Sequence, residues 1–114
     1  PEQWEGPVGR HLFRHASCWR DLWLWEGPIE LEVRALGQAA QGQWPRVGVD
    51  LDGTRIGTME VASAQVTSQV FSARVALGKH RLQLSLEEGY WSSQGEHRWA
   101  RIDTVLIRYP EGME

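Results

Sequence analysis

The stretch "IELEVRAL", from Ile29 to Leu36, decides the fold class. Ile29, Leu31 and Val33 alternate with Glu30, Glu32 and Arg34. A period of two is the pattern of a strand with one face on a core and the other in water. A helix would return its apolar residues every three or four positions instead. Further along, "RVGVDLDG" puts Val47, Val49 and Leu51 on one face and stops at Asp52-Gly53, a pair that tolerates the positive φ of a hairpin turn. "TRIGTMEV" then reads as the partner strand. "QVTSQVFSARVAL" changes phase between Val70 and Phe71, which predicts a bulge or a sandwich corner. "GKHRLQLSL" alternates Leu82, Leu84 and Leu86, and "IDTVLIRY" is apolar on both faces, as a central strand would be. Short strands separated by turn signals predict an all-β chain, a β-sandwich of two antiparallel sheets. Towards the N-terminus, "RHLFRHASCWRDLWLW" is the best helical candidate, although its tail reads equally well as a strand. On such a strand Trp19, Trp23 and Trp25 would share parity.

The 114 residues fit one domain spanning 1–114. The start at Pro1 sets the expectation of a domain excised from a larger protein. A net charge of -3 argues against nucleic acid, whose partners are usually basic. No apolar run nears the roughly 20 residues of a membrane helix. Cys18 is the only cysteine, so no internal disulfide can form. His11, His15 and Cys18 have the i, i+4, i+7 spacing of zinc ligands on a helix. The glutamate of H-E-x-x-H and a fourth ligand are missing, so exposed histidines and a buried thiol are the favoured reading. "DLDG" lacks the later ligands of a calcium loop and reads as a hairpin turn. There is no G-x-S-x-G elbow, phosphate loop or dinucleotide fingerprint. Glu87 and Glu88 are neighbours, which a strand would point to opposite faces. The sequence is read as a non-enzyme.

Tryptophan occurs seven times, and two of these lie in "LEEGYWSSQGEHRWARID", from Leu86 to Asp103. Its ends read as strands and its middle as a loop that sets aromatic surface beside charge. Sugar rings present apolar C–H faces rimmed by hydroxyls. Tyr90 and Trp91, with Trp99, could stack on such faces while Glu88, Glu96 and Arg98 bond the hydroxyls. Trp99 abuts the last strand and could instead plug the end of the sandwich. A shallow site of this kind would bind at about micromolar to millimolar Kd, or roughly -8 to -4 kcal/mol.

From about Gly27 to Tyr109 the order of motifs resembles the calcium-dependent xylan-binding modules, carbohydrate-binding families 36 and 60. "RALGQAAQGQWPRVGVDLDG" resembles their strand ending in A-x-G followed by a G-x-W-P turn, and Gly78, Lys79 and His80 match a G-x-H. "LEEGYW" and "GEHRWARIDTVLI" stand in the places of F-x-N-D and E-D-R-N-L. The resemblance implies a jelly-roll sandwich without catalysis, appended to a catalytic or surface domain of a secreted or cell-surface protein. It also implies a polysaccharide or oligosaccharide ligand and a calcium ion held by loop carboxylates. Glu88 and Gly89 fall on the N-D pair, and Glu96 and Arg98 match, but His97 and Trp99 replace aspartate and asparagine. Glu88 and Glu96 are left as weak metal candidates, and a hard cation wants more oxygens than these two supply. The alternative is a structural or protein-interaction domain that docks through the aromatic loop or through Trp19, Trp23 and Trp25.

Overall fold

A computed structural model describes residues 2–4, 10–13, 17–87, 90–91, 95 and 97–110, with side-chain surroundings for 17–87, 95 and 97–110. Ten strands occur among them: β1 (Glu2–Trp4), β2 (Arg10–Phe13), β3 (Ser17–Leu24), β4 (Gly27–Gln38), β5 (Arg46–Leu51), β6 (Thr54–Glu60), β7 (Thr67–Val75), β8 (Gly78–Leu86), β9 (Tyr90–Trp91) and β10 (His97–Arg108). There is no helix among the described residues. The described residues of the stretch weighed as a helix form β2 and β3, which corrects that reading. It also removes the helical face on which His11, His15 and Cys18 would have met. Cys18 is buried in β3, His11 lies in β2, and His15 falls outside the described residues.

The strands form two antiparallel sheets. The first runs β1-β10-β4-β7, with β2 and β9 also paired to β10, and the second runs β3-β8-β5-β6. The chain crosses repeatedly between them, giving the expected jelly-roll sandwich. Alternation explains the core directly. Ile29, Leu31 and Val33 of β4 face Val47, Val49, Leu82, Leu84 and Leu86 of the second sheet in one buried cluster. Of the charged residues between them, Glu30 and Arg34 are partly exposed and Glu32 is covered on the outer face. On the first sheet Glu32 accepts from Arg34 Nε and Arg108 Nη2, both at 2.6 Å. These two guanidinium hydrogen bonds hold its carboxyl below the usual range despite partial burial.

The Val70–Phe71 phase change needs no bulge or corner. β7 is an edge strand whose pairing with β4 runs unbroken through Leu31↔Phe71 and Glu32↔Val70. Phe71 enters the core and Val70, 48% exposed, simply faces solvent. Irregularities occur elsewhere, between Val49 and Asp50 and between Ile102 and Thr104. The second changes the phase of β10, so that Ala100 and Ile102 before it and Val105 and Ile107 after it all reach the same core, which is why the strand reads as apolar on both faces.

Asp52-Gly53 closes the β5–β6 hairpin, with φ of 53° and 83°. Two positive φ values define the turn that follows the strand twist, and glycine adopts the second without a Cβ penalty. Asp52 is then clamped. Its carboxylate accepts from Arg81 N at 2.8 Å and lies 2.5 Å from His80 Nδ1, while His80 Nε2 lies 2.7 Å from Ala76 O. Both ring nitrogens therefore face acceptors, which the doubly protonated imidazolium satisfies. The Asp52 hydrogen bond raises the His80 pKa above its ordinary value, outweighing burial. Burial alone would raise the Asp52 carboxyl, but the His80 and Arg81 hydrogen bonds bring it below its ordinary value.

Candidate functional site

At the other end of the sandwich three loop segments converge. Gly37 N donates to Ser63 O at 2.8 Å, Val61 N to Pro45 O at 2.9 Å, and Glu87 N to Arg46 O at 2.8 Å. Gln38 Nε2 reaches His97 O at 2.9 Å. Residues 37–46, 61–63 and both ends of the 87–97 segment thus form one pole. Gly37 allows the closure. A Cβ there would lie 2.9 Å from Pro45 Cγ and 3.1 Å from Val61 O. That is the physical content of the A-x-G motif.

Between β4 and β5 the chain makes a tight turn. Ala40 and Gln43 exchange backbone hydrogen bonds at 3.0 and 3.1 Å, with Gln41 and Gly42 at positive φ. Arg98 of β10 fastens it, donating Nε to Gln43 O at 3.1 Å and Nη2 to Ala40 O at 2.8 Å. The turn delivers Trp44, partly exposed, onto a cleft of about 260 Å³ lined by Gly42, Gln43, Trp44, Arg46 and Glu60. Arg46 and Glu60 are cross-strand partners. An indole face beside a guanidinium and a carboxylate is chemistry that can stack on a pyranose ring and bond its hydroxyls.

The six residues singled out in the sequence fare differently. Arg98 is 6% exposed and alternates with buried Ala100 and Ile102 on the core face, its guanidinium on backbone carbonyls. Trp99 takes the opposite face of β10, half-buried, paired with Gln38 and Phe13. It is outside the core cluster and does not plug the sandwich. Tyr90 and Trp91 form β9, in register with Arg98 and His97. Their side chains, and Glu88 and Glu96 entirely, lie outside the described residues. Trp44 was visible only as part of a turn motif. The available signal was a tryptophan before proline in a segment too short to bury both.

Calcium is tested by the donor set. Among the described residues no three His, Cys, Asp or Glu side chains come together to hold a metal. Glu87, which could have helped Glu88 and Glu96, gives its carboxylate to Arg55 Nη1 at 2.6 Å. Arg55 also binds Asp50 at 2.5 Å, and these two carboxylates raise its pKa. The described residues do not make an oxygen shell for calcium.

Comparison with known proteins bears on this geometry. A family model described as a Ca-dependent, xylan-binding carbohydrate-binding module, family 60, matches residues 30–111. The chain belongs to this family. A search of curated protein sequences found no match. Among solved structures, a family 36 carbohydrate-binding module in complex with calcium and xylotriose aligns with a TM-score of 0.68 at 16% identity, over 86% of this chain and 78% of that one. The first family 36 domain of a multidomain xylanase from the hindgut metagenome of Trinervitermes trinervoides gives 0.69 at 14% identity, over 96% and 88%. A family 61 module in complex with β-1,4-galactotriose gives 0.55 at 15% identity, over 86% and 66%. At these identities the structures establish the shared sandwich fold for the module.

Proposed function

We propose that this module is non-catalytic and holds a polysaccharide at the pole of the sandwich, through aromatic stacking and protein hydrogen-bonding groups. The observation that carries the reading is the Trp44 cleft. It sits against Arg46, whose carbonyl anchors the start of the 87–97 loop, so the strand framework ties that loop to the segment carrying Trp44. Trp91 and Tyr90 stack on sugar beside Trp44, and Glu88 and Glu96 bond hydroxyls. Arg98 contributes by holding the turn, and Trp99 by its half-exposed face at the loop's return. The ligand is a plant or microbial polysaccharide of the xylan kind. The family and the xylotriose-bound structural neighbour support that class.

Gly89, His97 and Trp99 stand where the family places metal-binding side chains, and Glu87 is committed to Arg55. Recognition is therefore carried by the protein's own groups rather than by a bridging ion. The module serves as the accessory domain of a larger secreted or cell-surface protein, a reading supported by a neighbour that is one domain of a multidomain xylanase. A glycan array run with calcium and with chelator, then repeated with Trp91→Ala, tests this. Equal binding in both buffers and loss in the variant are expected. Binding restricted to calcium buffer would return the loop to a metal mechanism.

A further inference from the structure

The outer face of the second sheet carries a feature that the pole does not use. β3 is an edge strand, and Trp19 and Trp23 stand on its solvent side at 56% and 64% exposure. Trp25, one residue past the strand, is 49% exposed. Four residues of strand separate Trp19 from Trp23, about 13 Å. Beside this aromatic lane runs a polar one. Trp19 is paired with Gln83, Asp21 with Arg81 and Trp23 with Lys79. The Arg81 guanidinium lies over the Trp19 ring at 3.8 Å and bonds Asp21 at 2.9 Å, so ring and fork are mutually fixed. Farther across, Gln83 is paired with Asp50, which Arg55 binds together with Glu87.

We infer that this face is a second glycan-binding surface, taking an extended, uncharged polysaccharide chain along Trp19 and Trp23. The inference rests on the module's reading as a polysaccharide binder. Charge identifies the occupant. Asp21, Asp50 and Glu87 are matched by Lys79, Arg81 and Arg55 in the ion pairs of this face, three carboxylates against three cations. A balanced face neither attracts nor repels a neutral polymer. A second copy of the chain would have to bury these pairs, and interface cores are depleted of charge. A sugar chain leaves them hydrated and bonds them through hydroxyls, while its C–H faces cover the indoles. Large exposed aromatic groups in one row are unusual on a surface without a ligand.

Binding to insoluble xylan and to microcrystalline cellulose, measured by depletion, tests the inference with three chains: the parent, Trp19→Ala/Trp23→Ala and Trp91→Ala. Size-exclusion chromatography and thermal midpoints are recorded for each. The double variant is expected to lose at least tenfold in retention on the polymer that holds the parent, remain monomeric, and bind soluble xylotriose as the parent does. Trp23→Ser alone, at the more exposed ring, repeats the test if the double variant unfolds early. Retention unchanged in these variants overturns the inference while leaving the pole reading intact. Loss in the double variant with none in Trp91→Ala supports the inference and removes the pole. A concentration-dependent dimer abolished by Trp19→Ala/Trp23→Ala assigns the face to self-association and overturns it, and a parent retained on neither polymer overturns both.

Discussion

Arg98 turns a guanidinium inward, 6% exposed, onto the carbonyls of Ala40 and Gln43. Hydrogen bonds from a charged donor contribute about 1.5–3 kcal/mol each, and removing the donor leaves buried acceptors unpaired. Arg98→Ala is expected to lower unfolding stability by about 2–4 kcal/mol in urea titration, since several such terms combine imperfectly. Its effect on glycan binding then follows from loosening the Trp44 turn. From sequence, an arginine in a charged loop has no visible partner. Only the fold brings the 40–43 turn under it, 55 and 58 residues away in sequence. His80 was legible as a motif but not as a clamp. Its pKa is raised from 6.5, so its stabilising contribution is complete below that value and is lost as pH rises through the raised one. Asp52 is lowered from 3.8, so its share is present above that value and lost as pH falls through the depressed one. Coulombic repulsion from Asp21 opposes Asp52, and Arg81 N supports it. Thermal midpoints of the parent should therefore fall on the alkaline side of about pH 6.5, and those of His80→Gln should fall less. Parallel curves would mean that the imidazolium is absent.

Strands whose faces divide cleanly between core and water could be read directly, and β4, β5 and β8 are of this kind. β3 could not. Its burial is confined to Cys18, Leu24 and part of Leu22, because an edge strand covers little core, and its tryptophans face solvent. Apolar solvent-facing residues destroy the alternation, and a helical period then fits equally well. Val70 misled for the same reason on another edge strand, β7. β1 and β2 gave no signal, as segments of three and four residues are too short to show a period. Gly37 shows what an element boundary demands. Its Cβ would meet the Pro45 ring and the Val61 carbonyl, neither at the end of a flexible side chain. Gly37→Ala should cost about 1–3 kcal/mol by denaturant unfolding, as overpacking does, and should perturb the pole more than the hairpin at Asp52. Unchanged stability would show that the two segments do not close on that position.

At the scale of the molecule, two sheets hold their loops at a pole and leave one broad face tiled with tryptophan and paired charges. The fold class followed from alternation, and the order of motifs pointed to the family that the family model matches. The sequence set the candidate site in the 87–97 loop; what the fold adds is that both ends of that loop are bonded to the segments around the 37–46 turn. Arg98 was assigned to the ligand although its guanidinium binds backbone, and Trp44 was passed over because the cleft it lines is completed by Glu60 of another strand. The most direct measurement is a calorimetric titration of soluble xylan into the parent, Trp44→Ala and Trp91→Ala, in chelator, with thermal midpoints in parallel. A Kd of about micromolar to millimolar for the parent, weakened at least tenfold in both variants with their melting nearly unchanged, is the result expected of a polysaccharide held at the pole. Equal affinity in all three chains, or lost stability with unaltered binding, would place those rings in the scaffold and contradict it.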